Sequence, residues 1–147
     1  AIVPVKGDGT EDAVTKLVEV GIDEIVILAP VDHSVVRWDP DRAAAHMERL
    51  GRLVRTAAMQ SRRVHMPMIR GPVPLAEVLS GDGVALADPG GDTAWDGVTG
   101  VVVGPEGGFS TSEVARASRT VSMGSSVLRA GTAAVAAGVR LVALHRR

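Results

Sequence analysis

A chain of 147 residues with 46% hydrophobic content is long enough for one domain with a real core and too short for two ordinary ones. Phe109, Trp38 and Trp95 are its only aromatics and it has no cysteine, which argues against a ring-stacking nucleic-acid surface and removes disulfides, thiolate metal sites and a cysteine nucleophile. The net charge of -1 hides two arginine-rich blocks, residues 37–70 and 114–147, separated by acidic segments, so a fold that joins the blocks would offer a polyanion one positive face.

The first strand is expected at residues 2–5. Residues 11–20 then place Val14, Leu17 and Val18 at helical spacing, and residues 24–29 form a continuous apolar strand. A long amphipathic helix over 40–59 follows, starting at Pro40, with Met47, Leu50, Val54 and Ala57 on one stripe and Arg49, Arg52 and Arg55 opposite. Further strands are expected at 66–69, 84–87, 98–103 and 120–123, and the stretch 81–97 is otherwise the most loop-like of the chain. Ser110 and Glu113 have capping-box spacing before a helix that opens at Thr111. The helix over 132–144 is apolar all round except for Arg140, so cover on both sides is expected, from its own sheet and a second subunit. The fold class is α/β, a largely parallel sheet covered by helices on both faces.

No apolar run approaches the ~20 residues that span a bilayer. A soluble, cytoplasmic protein is the expectation. The chain enters at Ala1 without an initiator methionine, in keeping with a piece of a longer protein.

Chemistry concentrates in two loops. Residues 101–113, VVVGPEGGFSTSE, read as a buried strand, a turn with three glycines and a capped helix, which lets a ligand approach main-chain N–H and C=O groups closely. The turn lacks the Gly-Lys-Ser/Thr of a phosphate loop and the G-x-G-x-x-G of a dinucleotide fold, which removes support for nucleotide hydrolysis and hydride transfer. Residues 121–133, VSMGSSVLRAGTA, repeat the grammar of strand, glycine-bearing loop and helix. His33, His46, His65 and His145 show no ligand pair at i, i+4, so no metal is expected; Ser110 and Ser112 read as helix caps.

These two motifs, in this order, resemble the paired cofactor loops of the RsmE family of methyltransferases. The likeness extends to Lys6-Gly7-Asp8, to residues 16–22 and 34–38, and to Gln60-Ser61-Arg62-Arg63 before Met66-Pro67, and so covers essentially the whole chain. It implies the C-terminal SPOUT domain of that family, residues 1–147, with a C-terminal trefoil knot and without the family's N-terminal PUA-like RNA-binding domain. The implied activity is S-adenosylmethionine-dependent methylation of uridine N3 in small-subunit ribosomal RNA by a homodimer whose sites lie at the subunit interface. Two alternatives stay open: another SPOUT enzyme acting on transfer RNA or a ribose hydroxyl, and a non-catalytic RNA-binding module of the same fold.

Matching motif positions assigns the cofactor to Gly104, Pro105, Glu106, Gly107, Gly108, Met123, Gly124, Val127, Leu128 and Thr132. Arg129 is the candidate to steady the uracil oxyanion or a phosphate, or else it only caps a helix or pairs with Glu106. Glu106 is the candidate to accept from a ribose hydroxyl or to receive the imide proton. Arg37, Gln60 and Arg63 are the RNA-binding candidates. The chain departs from the family pattern at Gly131 and Met59, where glutamate is frequent, and at His33, where arginine is frequent.

Overall fold

Ile25, Val26, Ile27 and Leu28 are all buried, as a strand covered on both faces requires. They lie in β1 (Glu24–Leu28), which pairs in parallel with β2 (Met68–Val73). β3 (Val84–Asp92) lies between β4 (Gly100–Val102) and β5 (Thr120–Val121), parallel to both. Ile2 joins the two groups, bridging Ile27 on one side and Val103 on the other. Its N–H donates to Val26 O at 2.9 Å and its carbonyl accepts from the Leu28 N–H at 2.8 Å. The spatial order is therefore β2, β1, Ile2, β4, β3, β5. The computed structural model describes residues 1–145.

The period of two along these strands divides the core. Ile25, Ile27, Ala85, Val101 and Val103 join one cluster with Val14, Leu17 and Val18 of α1 (Gly9–Val20), Leu50 and Val54 of α2 (Pro40–Gln60), and Ala133 and Ala137 of α5 (Ala130–His145). Leu28 and Val102 join a second cluster with Val3, Val31 and Leu75, the last on α3 (Leu75–Leu79), and half-buried Phe109 packs against it. Alternate side chains thus enter opposite layers, which is why the strands are apolar at every position rather than every second one. The expected parallel sheet, flanked by helices, is present.

Helix ends follow local chemistry. The Asp39 carboxylate accepts from the Arg42 N–H at 2.9 Å, satisfying an orphan donor at the start of α2, and Pro40 occupies its first turn. Ser110 and Glu113 form a complete capping box at α4 (Thr111–Val114).

Several boundaries differ from expectation. The strand at 2–5 contracts to the bridge at Ile2; Pro4 has no N–H for a ladder, and the Val5 N–H turns to Thr10 Oγ1 at 2.9 Å. The second strand starts and ends later, at Met68–Val73, and tolerates Pro72 because β2 is an edge. The short helix α3 was not anticipated. The largest change is β3, which continues to Asp92 through residues read as loop. There Asp92 pairs with Val121, and the Ser122 N–H donates to Asp92 O at 2.8 Å.

Gly91 makes this extension possible, since a Cβ there would lie 2.6 Å from Val121 N and 2.7 Å from Val121 C. These are backbone atoms of a fully buried residue, and they cannot swing aside as the end of a flexible side chain could. Gly91→Ala is therefore expected to destabilise the domain by about 2–3 kcal/mol, read as a lower urea midpoint at unchanged slope.

The two arginine blocks do not form an unbroken positive face. Five of the eight arginines in 37–70 pair with carboxylates: Arg42 with Asp39, Arg49 with Glu11, Arg52 with Glu48, Arg63 with Asp23, and Arg70 with Glu24. In the second block Arg119 donates to Asp96 O and Ala94 O, and Arg140 donates to Ser122 O and Thr93 O while lying 4.4 Å from the centre of the Trp95 ring. On α5, Val139 and Leu144 remain 51% and 44% exposed, so the chain itself covers only part of that apolar helix. No described helix is long and apolar enough to cross a membrane.

Candidate active site

Strand order decides which loops meet. The 104–109 loop leaves the C-terminal end of the β4 segment and the 122–129 loop leaves that of β5, with β3 between them. Two inter-strand spacings put these ends about 10 Å apart, the span of a nucleoside. The start of α5 closes the same corner, because Val103, Gly104, Ala130 and Gly131 line one small crevice. Ligands of parallel α/β sheets bind at these C-terminal ends, where loops diverge and helix N-termini point inward.

The first loop is pre-formed. Phe109 folds over Gly104 so closely that a Cβ on that glycine would lie 2.8 Å from the ring. The Gly108 N–H closes a turn on Pro105 O at 2.8 Å, with Gly108 at φ 71. Glu106 and Gly107 are exposed, and their N–H groups make no hydrogen bond among the described residues.

The loop after β1 grips the first loop from the side. Glu113, only 4% exposed, accepts the Asp32 N–H at 2.8 Å and the Ser110 N–H at 2.9 Å. Ser110 Oγ donates to Asp32 Oδ2 at 2.5 Å, and His33 Nδ1 lies 3.1 and 3.0 Å from the Gly107 and Gly108 carbonyls. Arg37 completes the clasp by donating to Val31 O at 3.1 Å and Asp32 O at 3.3 Å.

The second loop is more open. Ser122 is buried and its Oγ donates to Gly124 O at 3.1 Å while accepting the Gly124 N–H at 3.2 Å. Met123 and Leu128 are half-buried against the main core, whereas Val127 is 86% exposed. The N–H groups of Val127 and Leu128 make no hydrogen bond among the described residues. Thr132 stands exposed in the first turn of α5.

Arg129 occupies the N-cap position of α5: its carbonyl accepts the Ala133 N–H at 2.8 Å. Its exposed side chain makes no ion pair or hydrogen bond among the described residues, so the pairing with Glu106 weighed from sequence is absent. A cation is unfavourable at a helix N-terminus, by about 0.3–1 kcal/mol.

The structure separates the RNA-binding candidates. Arg37 stands beside the loops, although its guanidinium already holds two carbonyls. Gln60 and Arg63 lie at the other end of the chain's long helix: α2 runs antiparallel to the strands, and its 21 residues carry the chain about 30 Å away from the loops. Arg63 is held within the chain. Its side chain, 13% exposed, donates to Val18 O and Ile22 O and pairs with Asp23 at 2.5 Å, closing the C-terminus of α1.

A cavity of about 710 Å³ opens at this same far end, lined by Glu24, Val84 and Gly100 at the strand starts and by Leu141 and His145 of α5. Size alone would direct attention there. Its floor holds core residues such as Ile2, Ile25 and Val101, and it touches neither glycine-bearing loop. Among the described residues, no group of three or more His, Cys, Asp or Glu could hold a metal ion.

Two participants escaped the sequence. The end of β3 lies beside the start of the second loop, with Ala87 and Asp92 both paired to Val121 and residues 88–91 bulging between them, and Asp32, His33 and Glu113 form the clasp. Gly90-Gly91 was the available signal for the first, since paired glycines mark a close approach as well as a loop.

A family model described as the RNA methyltransferase domain matches residues 1–142. The ribosomal RNA small subunit methyltransferase E of Rickettsia conorii is 27% identical over 165 residues, covering 99% of this chain and 64% of that protein. A Legionella pneumophila protein solved in complex with the bound cofactor SAM superposes with a TM-score of 0.88 at 27% identity, over 98% of this chain and 64% of that one. A ribosomal RNA small subunit methyltransferase E from Neisseria gonorrhoeae, solved bound to S-adenosyl methionine, gives 0.80 at 25% identity, over 97% and 64%. The chain thus spans just under two thirds of the length of these relatives. With the family model spanning nearly its whole length and the two loops assembled at one sheet end, the chain belongs to the RNA methyltransferase domain family.

Proposed function

We propose that this domain transfers a methyl group from S-adenosylmethionine to N3 of a uridine in small-subunit ribosomal RNA. The carrying observation is the pair of glycine-bearing loops at the C-terminal ends of β4 and β5, which flank β3 at one end of the sheet, in a family whose solved relatives hold that cofactor.

The residues fit an adenosyl group. Adenine recognition needs main-chain donors and acceptors beside an apolar surface. The uncommitted N–H groups of Glu106, Gly107, Val127 and Leu128 supply the first, and Met123, Leu128 and Pro105 the second. Gly108 and Gly124 have positive φ and open space where a Cβ would stand. Gly104 and Thr132 complete the wall at the start of α5.

The cofactor supplies an electrophilic methyl when bound. What remains for the chain is to hold a uracil that has lost its imide proton in line with that methyl, and to stabilise the negative charge on the base. Arg129 is the unpaired cation at the mouth of the second loop and is assigned that charge. Exposed Glu106 is assigned the ribose hydroxyls or the imide proton, and Arg37 a contact to the RNA backbone. The knotted SPOUT topology, a homodimer over the open side of α5 and a cytoplasmic location belong to the same reading.

Calorimetric titration with S-adenosylmethionine, followed by mass spectrometry of small-subunit RNA incubated with domain and cofactor, tests it. One saturable site per chain and a methyl on uridine N3 are expected. A methyl on another atom would redirect the substrate assignment, and absence of cofactor binding would end the methyltransferase reading.

A further inference from the structure

His33 lies outside both cofactor loops and is absent from the residues that motif matching assigns to the site. The structure nevertheless sets its ring against the first loop. Nδ1 is 3.1 Å from Gly107 O and 3.0 Å from Gly108 O, and the Cβ that Gly107 lacks would lie 3.3 Å from His33 Cβ. Two carbonyl oxygens can be satisfied by one ring nitrogen only if that nitrogen carries the hydrogen, so the contact selects the Nδ1–H form.

A peptide group is planar, with its C=O and the following N–H pointing in opposite directions. Holding Gly107 O therefore holds the Gly108 N–H, which closes the turn on Pro105 O at 2.8 Å. Holding Gly108 O turns the Phe109 N–H away from His33. One side chain thus orients two successive peptide planes in a loop whose glycines would otherwise rotate freely. The ring is itself fixed from below, because its neighbour Asp32 is tied through its N–H to buried Glu113 and through its carboxylate to Ser110 Oγ.

We propose that His33 is a positioning residue for S-adenosylmethionine: its Nδ1–H, held on the Gly107 and Gly108 carbonyls, preorganises the first loop so that ligand binding need not order it. The identity of the ligand rests on the function proposed above; the ordering of the loop rests on this geometry alone. Preorganisation of this kind acts on affinity, by removing an ordering cost from binding. A hydrogen bond of this type typically changes an equilibrium five- to tenfold, about 1 kcal/mol.

Three variants separate the hydrogen bond from the bulk of the ring. His33→Asn places an N–H donor where Nδ1 stands, His33→Gln places one where Nε2 stands, and His33→Ala removes both. In cofactor-free protein, amide hydrogen exchange at Gly108 is expected to rise about tenfold in the Ala and Gln variants and to return toward wild type in Asn. The cofactor Kd and KM are expected to follow the same order, roughly tenfold up in Ala and Gln, with kcat at saturating cofactor changed less than about twofold. Wild-type exchange and affinity in His33→Ala would overturn the proposal, as would rescue by Gln equal to rescue by Asn. If the wild-type chain binds no S-adenosylmethionine, the methyltransferase reading falls and this ligand with it; if the wild type binds and His33→Ala binds equally well, only the positioning role falls.

Discussion

Gly124→Val is expected to raise the Kd for S-adenosylmethionine at least ~100-fold while moving the thermal midpoint by no more than about 5 °C. Gly124 has φ 135, a conformation that a β-branched residue does not hold without strain of about 1–3 kcal/mol. It is exposed and an added Cβ would meet nothing within 4 Å, so no packing is lost and the strain is relieved by moving the loop. That motion breaks the reciprocal Ser122–Gly124 hydrogen bonds and displaces Val127 and Leu128, whose free N–H groups are assigned to the cofactor. Calorimetry and a thermal melt on the same sample measure both halves. Binding within about threefold of wild type would remove the 122–129 loop from the cofactor site.

Arg129→Ala is expected to lower kcat by about 100- to 1000-fold and to leave the cofactor Kd within about threefold. The reason is selectivity for the transition state: in the proposed reaction negative charge grows on the uracil as its proton leaves, and a cation that meets that charge aids turnover without aiding cofactor binding. A second signature accompanies the loss. Because Arg129 sets a positive charge at the N-cap of α5, its removal should hold or slightly raise stability, by a few tenths of a kcal/mol. A structural arginine would show the reverse, lower stability with turnover following the folded fraction. Full turnover in the variant would exclude Arg129 from the chemistry.

Arg63 illustrates how a charged residue of a sequence motif acquires partners that only the fold reveals. Residues 60–63 resemble a family block, and an arginine there invites an RNA role. The chain uses it to close the C-terminus of α1 through Val18 O, Ile22 O and Asp23, an interaction across forty or more residues of sequence. Arg140 is similar: lying over the Trp95 ring, it donates to Ser122 O together with the Trp95 indole and so braces the start of the second loop. Sequence alone shows that such residues are charged; it does not show which carbonyls lie within reach.

By itself the sequence determined what is local. Successive apolar residues in 25–28 and 101–103 announced strands covered on both faces, Ser110 and Glu113 announced a capping box, and the glycines of 104–108 and 124 announced loops open to a ligand. Each of these signals is a steric or hydrogen-bonding requirement met within a few residues, so composition and spacing are enough to express it. Tertiary structure alone decided adjacency. It placed β3 between β4 and β5, carried Gly91 against Val121, sent Gln60 and Arg63 to the opposite end from the loops, and brought His33 onto Gly107 and Gly108 across more than seventy residues. Adjacency depends on which apolar faces pack together over the whole chain, and the same local pattern is compatible with several strand orders until that packing selects one.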